Sequence, residues 1–191
     1  GIRAETHLAT GIVANEICEQ ARTADLVIAA QADESWDDSR MLDFPDRLAL
    51  ESGRPTLIIP NAGRFPTLGS RVMVAWNGSR EASRAAKDAL PFLAAAGSVT
   101  LIAAGEEVAA SLDAGAALLR RHGAQVTTKQ VEAGSGHGAT LLDAAKAAGR
   151  WVPTLCFDER QDPFGACRVC RDVTARPLPH EPRPVVVLSG S

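Results

Sequence analysis

The sequence predicts an α/β protein with a Rossmann-like, open parallel sheet and helices on both faces. Two observations predict it. Short apolar blocks of strand length alternate with stretches that carry a helical apolar stripe. The alternation also occurs as one partial and one full-length copy, so that S-G-R-P-T-L-I-I-P at 52–60 returns as E-P-R-P-V-V-V-L-S at 181–189.

The elements follow in order. Ile2 to Leu8 alternates weakly and reads as a strand. Ile12 to Thr23 places Val13, Ile17, Ala21 and Ala24 on one helical stripe. Leu26 to Ala30 is a continuous apolar run, expected to be a strand buried on both faces. Pro45 to Glu51 predicts a short helix, and Pro55 to Pro60 another apolar strand. Two glycines and a proline between Asn61 and Ser70 mark 61–70 as a linker.

The second copy opens with the strand Arg71 to Trp76. Asn77-Gly78-Ser79 reads as a strand-to-helix turn with Ser79 as N-cap. Ala82, Ala85, Ala86, Ala89, Leu90 and Leu93 share the inward face of the next helix, and Pro91 should kink or weaken its last turns. A strand over Val99 to Ala103 and a helix over Glu106 to Arg121 follow, with Val108, Leu112, Ala116 and Leu119 inward. Ala124 to Val131 predicts a strand. Thr140 to Ala148 predicts a helix that offers Leu141, Leu142 and Ala145 to the core.

Composition excludes several classes. A net charge of −3 argues against a nucleic-acid surface. No apolar run is long enough to span a membrane as a helix. Four cysteines in 191 residues are sparse, which predicts reduced thiols and a cytoplasmic protein. G-x-S-x-G, H-E-x-x-H and other catalytic motifs are absent, so no enzyme is predicted.

The block R-V-M-V-A-W-N-G-S-R-E-A-S-R-A-A-K-D-A-L-P-F-L, preceded by S-G-R-P-T-L-I-I-P-N-A-G-R-F-P-T-L-G, resembles the junction between two universal stress protein domains of the tandem bacterial type. The resemblance covers roughly 1–60 and 70–149, with a return at Arg183 to Ser189. It implies that 1–60 is the C-terminal part of a first domain, truncated at its N-terminus. Residues 71–191 would then be a second domain with an atypical segment at 150–182. It also implies stress tolerance exerted through dimerisation or partner binding. Pairing through the last strands would give a homo-oligomer or an in-chain pseudo-dimer, with Pro55–Pro60 against Pro184–Ser189.

Ligands of such sheets bind beyond the carboxyl ends of the strands. The candidate nucleotide-binding residues there are Ala75, Trp76, Asn77, Gly78, Ser79, Ala103, Gly134 and Gly136. In nucleotide-binding relatives an aspartate follows the first strand, and here that position is Asn77. Turn chemistry favours reading Asn77-Gly78-Ser79 as a plain turn and cap. Those relatives also carry G-x-x-G after the fourth strand, and no G-x-x-G occurs in this chain. The expectation is no cofactor, with ATP as the alternative.

Within 150–182 the expected fourth strand contains Pro153, which cannot donate to a ladder. Cys156, Cys167, Cys170 and His180 form the weak alternative of a zinc or thiol site. The abrupt shift to Arg, Pro and Cys is also what translation out of frame would produce.

Overall fold

The computed structural model describes residues 3–8, 10, 12–30, 44–59, 69–106, 108–132, 140, 141, 143, 144, 154–157 and 185–189. The elements are α1 (Val13–Ala21), β1 (Val27–Ala30), α2 (Phe44–Glu51), β2 (Thr56–Ile59), β3 (Arg71–Ala75), α3 (Arg80–Asp88), α4 (Leu90–Ala95), β4 (Ser98–Ala104), α5 (Ala109–Arg121), β5 (Val126–Val131), β6 (Thr154–Phe157) and β7 (Val185–Ser189). From α1 to β2, and again from β3 to β5, helices and strands alternate as the periodicity predicts.

All seven strands form one sheet in the order β1-β2-β6-β7-β3-β4-β5. Every neighbouring pair is parallel except β2 and β6, which run antiparallel with Leu57 opposite Leu155. The seam between the two copies is therefore β2–β6. This corrects the expected pairing of Pro55–Pro60 with Pro184–Ser189. β7 lies inside the sheet, with Val72 opposite Val185 on one side and Leu155 opposite Val187 on the other. A strand between parallel neighbours needs apolar residues throughout, and Val185-Val186-Val187-Leu188 supplies them. β6 spans Thr154–Phe157. Pro153 itself lies outside the described residues.

The main core joins β3, β4 and the inner faces of α3, α4 and α5, and reaches across the seam to Leu57. It is almost wholly aliphatic. Ala82, Ala85, Ala86, Ala89 and Leu93 are all buried, as the helical stripe predicts. The helix divides at Ala89, and Pro91 falls in the first turn of α4, where its missing N–H costs nothing. Leu141 and Ala144 also pack on this core. Leu142 and Ala145 lie outside the described residues.

A second, smaller core holds Cys18, Ala21, Val27, Ala29 and Leu48 beneath α1 and α2. Val27 and Ala29 belong to this core, whereas Leu57 joins the main one. Helices thus cover both faces. Ile17 and Ala21 of the expected stripe face inward together with Ala14 and Cys18, and Ala24 lies past the end of α1. Arg54 fastens the end of α1 by donating from Nε to the Arg22 carbonyl at 2.9 Å.

Two expectations fail at the first copy. Arg3 to Leu8 forms no strand, and Leu8 is fully exposed. The corresponding strand of the second copy, β5, pairs with β4. Among the described residues no strand pairs with Arg3–Leu8. β1 is not buried on both faces either. It alternates, with Ile28 64% exposed, because it stands at the end of the sheet order.

Candidate functional site

The carboxyl ends of β3, β4 and β5 lie side by side. Trp76 continues the ladder one residue past β3 by donating its backbone N–H to the Ile102 carbonyl at 2.8 Å. Its indole turns inward and is buried. The indole Nε1 donates to Ser111 Oγ at 2.8 Å, which satisfies the ring's single polar group.

Two glycines make room for this arrangement. Gly115 sits mid-way along α5, where glycine is unfavourable. A Cβ there would stand 2.9 Å from Cε2 and Cζ2 of Trp76 and 3.2 Å from Leu101 Cδ2. Gly78 has φ +76°, and a Cβ on it would meet Ser111 Oγ at 2.5 Å. The ring therefore fills a slot between β4 and the first turns of α5.

The turn that follows is bonded to itself. Asn77 is exposed, and its Oδ1 accepts from the Ser79 N–H at 3.0 Å. Ser79 caps α3, its Oγ accepting from the Ala82 N–H at 3.1 Å. Glu81 is buried in the first turn and accepts from Arg80 Nε at 2.5 Å. The Arg80 guanidinium first, then Glu81's own N–H, hold this carboxyl below the usual carboxylate range; burial opposes them and the Ser79 hydroxyl assists. The positive end of α3 is thus already matched by a carboxylate of the chain itself.

The other candidates are placed as follows. Ala75 and Ala103 are buried within β3 and β4. At the end of β4, Gly105 donates to the Val131 carbonyl at 2.9 Å and accepts from Gln130 Nε2 at 2.8 Å. Gly134 and Gly136 lie outside the described residues, as do Cys167, Cys170 and His180. Cys156 stands in β6, opposite Thr56 and Leu188. Among the described residues no group of three or more His, Cys, Asp or Glu is placed to hold a metal. Cys18 is buried; burial first, and then the Glu51 charge, push its thiol up, against the opposing influence of Arg47 and Arg22.

Sequence reasoning singled out Trp76, Asn77, Gly78 and Ser79, and these are contiguous at the edge. It missed Ser111 and Gly115. The lone glycine inside an alanine-rich helical stretch was the available signal, since such a glycine often has a packing reason.

No family model and no curated protein matches the chain. A universal stress protein from Archaeoglobus fulgidus DSM 4304 superposes with a TM-score of 0.64 at 19% identity over 93% of this chain. The chain spans 65% of that protein's length. A protein of the universal stress protein family from Burkholderia pseudomallei aligns over 63% of this chain and 96% of its own, at 21% identity and a TM-score of 0.45. From the alternating elements, the largely parallel sheet and the first of these superpositions, the chain has the universal stress protein fold.

Proposed function

We propose that the protein is a non-catalytic, cytoplasmic stress protein that acts in stress tolerance through dimerisation or partner binding. The observation that carries this reading is the Trp76 indole, held in its slot by Ser111 and admitted by Gly115. The ring packs inward between Leu101 and Gly115, so the chain's own side chain fills the helix–sheet layer beside the carboxyl end of β3. The Glu81 carboxylate at the start of α3 adds a like charge against any phosphate brought there. The in-chain seam between β2 and β6 supports the pairing of two half-sheets within one chain.

The test is calorimetric titration of the purified protein with ATP. The expected result is no saturable heat. Binding with a micromolar Kd overturns the reading in favour of a nucleotide switch. Light scattering coupled to size exclusion then measures whether the protein is a dimer.

A further inference from the structure

We propose that two copies of this chain pair through their β1 strands, antiparallel and edge to edge, with Ile28 opposite Ile28 on the two-fold axis. The proposal rests on the dimerisation half of the functional reading and deepens it, since it names the surface through which that dimer forms.

The last strands of both copies, β2 and β7, lie inside the sheet, so among the described residues its two edges are β1 and β5. The edges differ in kind. β5 presents Thr127, Thr128, Lys129 and Gln130, all exposed, and a lysine on an edge strand discourages pairing. β1 runs Val27-Ile28-Ala29-Ala30 without a charge, and Ile28 is largely exposed. An uncharged apolar edge is a template for another strand. β1 against β1 is self-complementary and closes after two copies. β1 against β5 would leave a free edge at each end and continue as an open array.

Peptide orientation fixes which residues meet. Val27 donates its N–H to the Pro55 carbonyl at 2.9 Å, so its peptide groups point at β2. Alternation along the strand turns those of Ile28 to the outer side. With Ile28 facing Ile28 of a second copy, the two residues exchange both N–H···O bonds, as in a hydrogen-bonded pair of an antiparallel ladder. A shift of one residue would set these outward groups against a residue whose own point at β2. Ile28 is also the centre of the apolar run Leu26–Ala30, so this register pairs the run wholly with itself: Leu26 meets Ala30, Val27 meets Ala29, and no charge intervenes. Leu57 stands beside Ile28 on β2, so Leu57 and Ile28 of each copy form one apolar row across the join.

Sedimentation velocity compares wild type with Ile28→Lys and Ile28→Asp at concentrations up to about 1 mM, which populate even a small interface. Wild type should dimerise. Each variant alone should raise the dimer's Kd by about tenfold or more, because like charges then stand directly opposite. An equal mixture of the two variants should recover the dimer, because residue 28 of one copy meets the opposite charge at residue 28 of the other. Lys129→Ala, on the other edge, should leave the Kd unchanged. Below that Kd the thermal melts of both variants should match wild type, since Ile28 is exposed in the single chain. A monomeric wild type overturns the proposal. So does a dimer that keeps its Kd in both variants, or a mixture that binds no tighter than either variant alone. Unfolding of both variants overturns it too, because Ile28 would then be covered within the chain. A dimer indifferent to residue 28 leaves the functional reading standing, and the ATP titration of wild type tests that reading independently, so the two failures are told apart.

Discussion

The six-membered ring of Trp76 lies against Gly115 so closely that a Cβ on the glycine would stand 2.9 Å from two ring carbons. The contact joins the end of β3 to the middle of α5. It explains why a helix otherwise rich in alanine and leucine carries a glycine there. Gly115→Ala therefore sets two effects against each other. Helix propensity favours alanine by about 1 kcal/mol. Crowding a hydrogen-bonded, buried ring costs about 1–3 kcal/mol. The expected net result is destabilisation by about 1 kcal/mol in urea unfolding. A more stable Gly115→Ala protein would mean that the ring is free to move.

Ser111→Ala leaves the indole N–H of Trp76 buried without its acceptor. The expected loss is about 1–3 kcal/mol. The Trp76→Phe/Ser111→Ala double variant should lose less than the sum of the two single losses, because no polar atom is then stranded. Equal and additive losses would show that the hydrogen bond carries no coupling.

Ser79→Ala removes the side-chain acceptor that caps α3. It should cost about 1 kcal/mol, whereas Ser79→Gly should cost only a few tenths. Urea midpoints at constant m-value measure both.

Glu81 makes stability depend on pH. Its folded-state pKa is lowered, chiefly by the Arg80 hydrogen bond, from an ordinary value of 4.5. The stabilisation is thus complete above that ordinary value and is lost as pH falls through the lower folded value. Glu81→Gln should flatten this part of the acid limb and leave the neutral region free of the same slope. An unchanged acid limb would exclude Glu81 as its source.

Ile28 and Leu57 are register partners on adjacent strands, yet Ile28 is 64% exposed and Leu57 only 2%. Truncation should separate them sharply. Leu57→Ala should cost about 2–5 kcal/mol, and Ile28→Ala should stay within about 0.5 kcal/mol. Similar losses at both positions would show that Ile28 is covered in solution.

Much of the fold was legible in local patterning. The alanine face of α3 and the Ser79 cap each depend on residues within a few positions of one another, and both stand as expected; the kink expected near Pro91 is a full division into α3 and α4. The misses share a different character. Arg3–Leu8 has strand-like alternation but, among the described residues, no neighbouring strand to bond. Leu26–Ala30 has a core-like composition, but only one of its faces is well covered. Neither fact is written in the segment concerned.

The candidate site divides in the same way. Asn77, Gly78 and Ser79 were found because turn chemistry is local, while Ser111 lies 35 residues from Trp76 in the chain and was not found. By itself the sequence determined the fold class, most of the strands and helices, and the Ser79 cap, since periods of two and 3.6 residues and turn preferences act between near neighbours. Tertiary structure alone decided that β6 rather than β7 meets β2, that Ile28 faces outward, and that Trp76 fills the slot under α5. These outcomes depend on which distant surfaces compete to bury one another, and that competition is settled only when the sheet assembles.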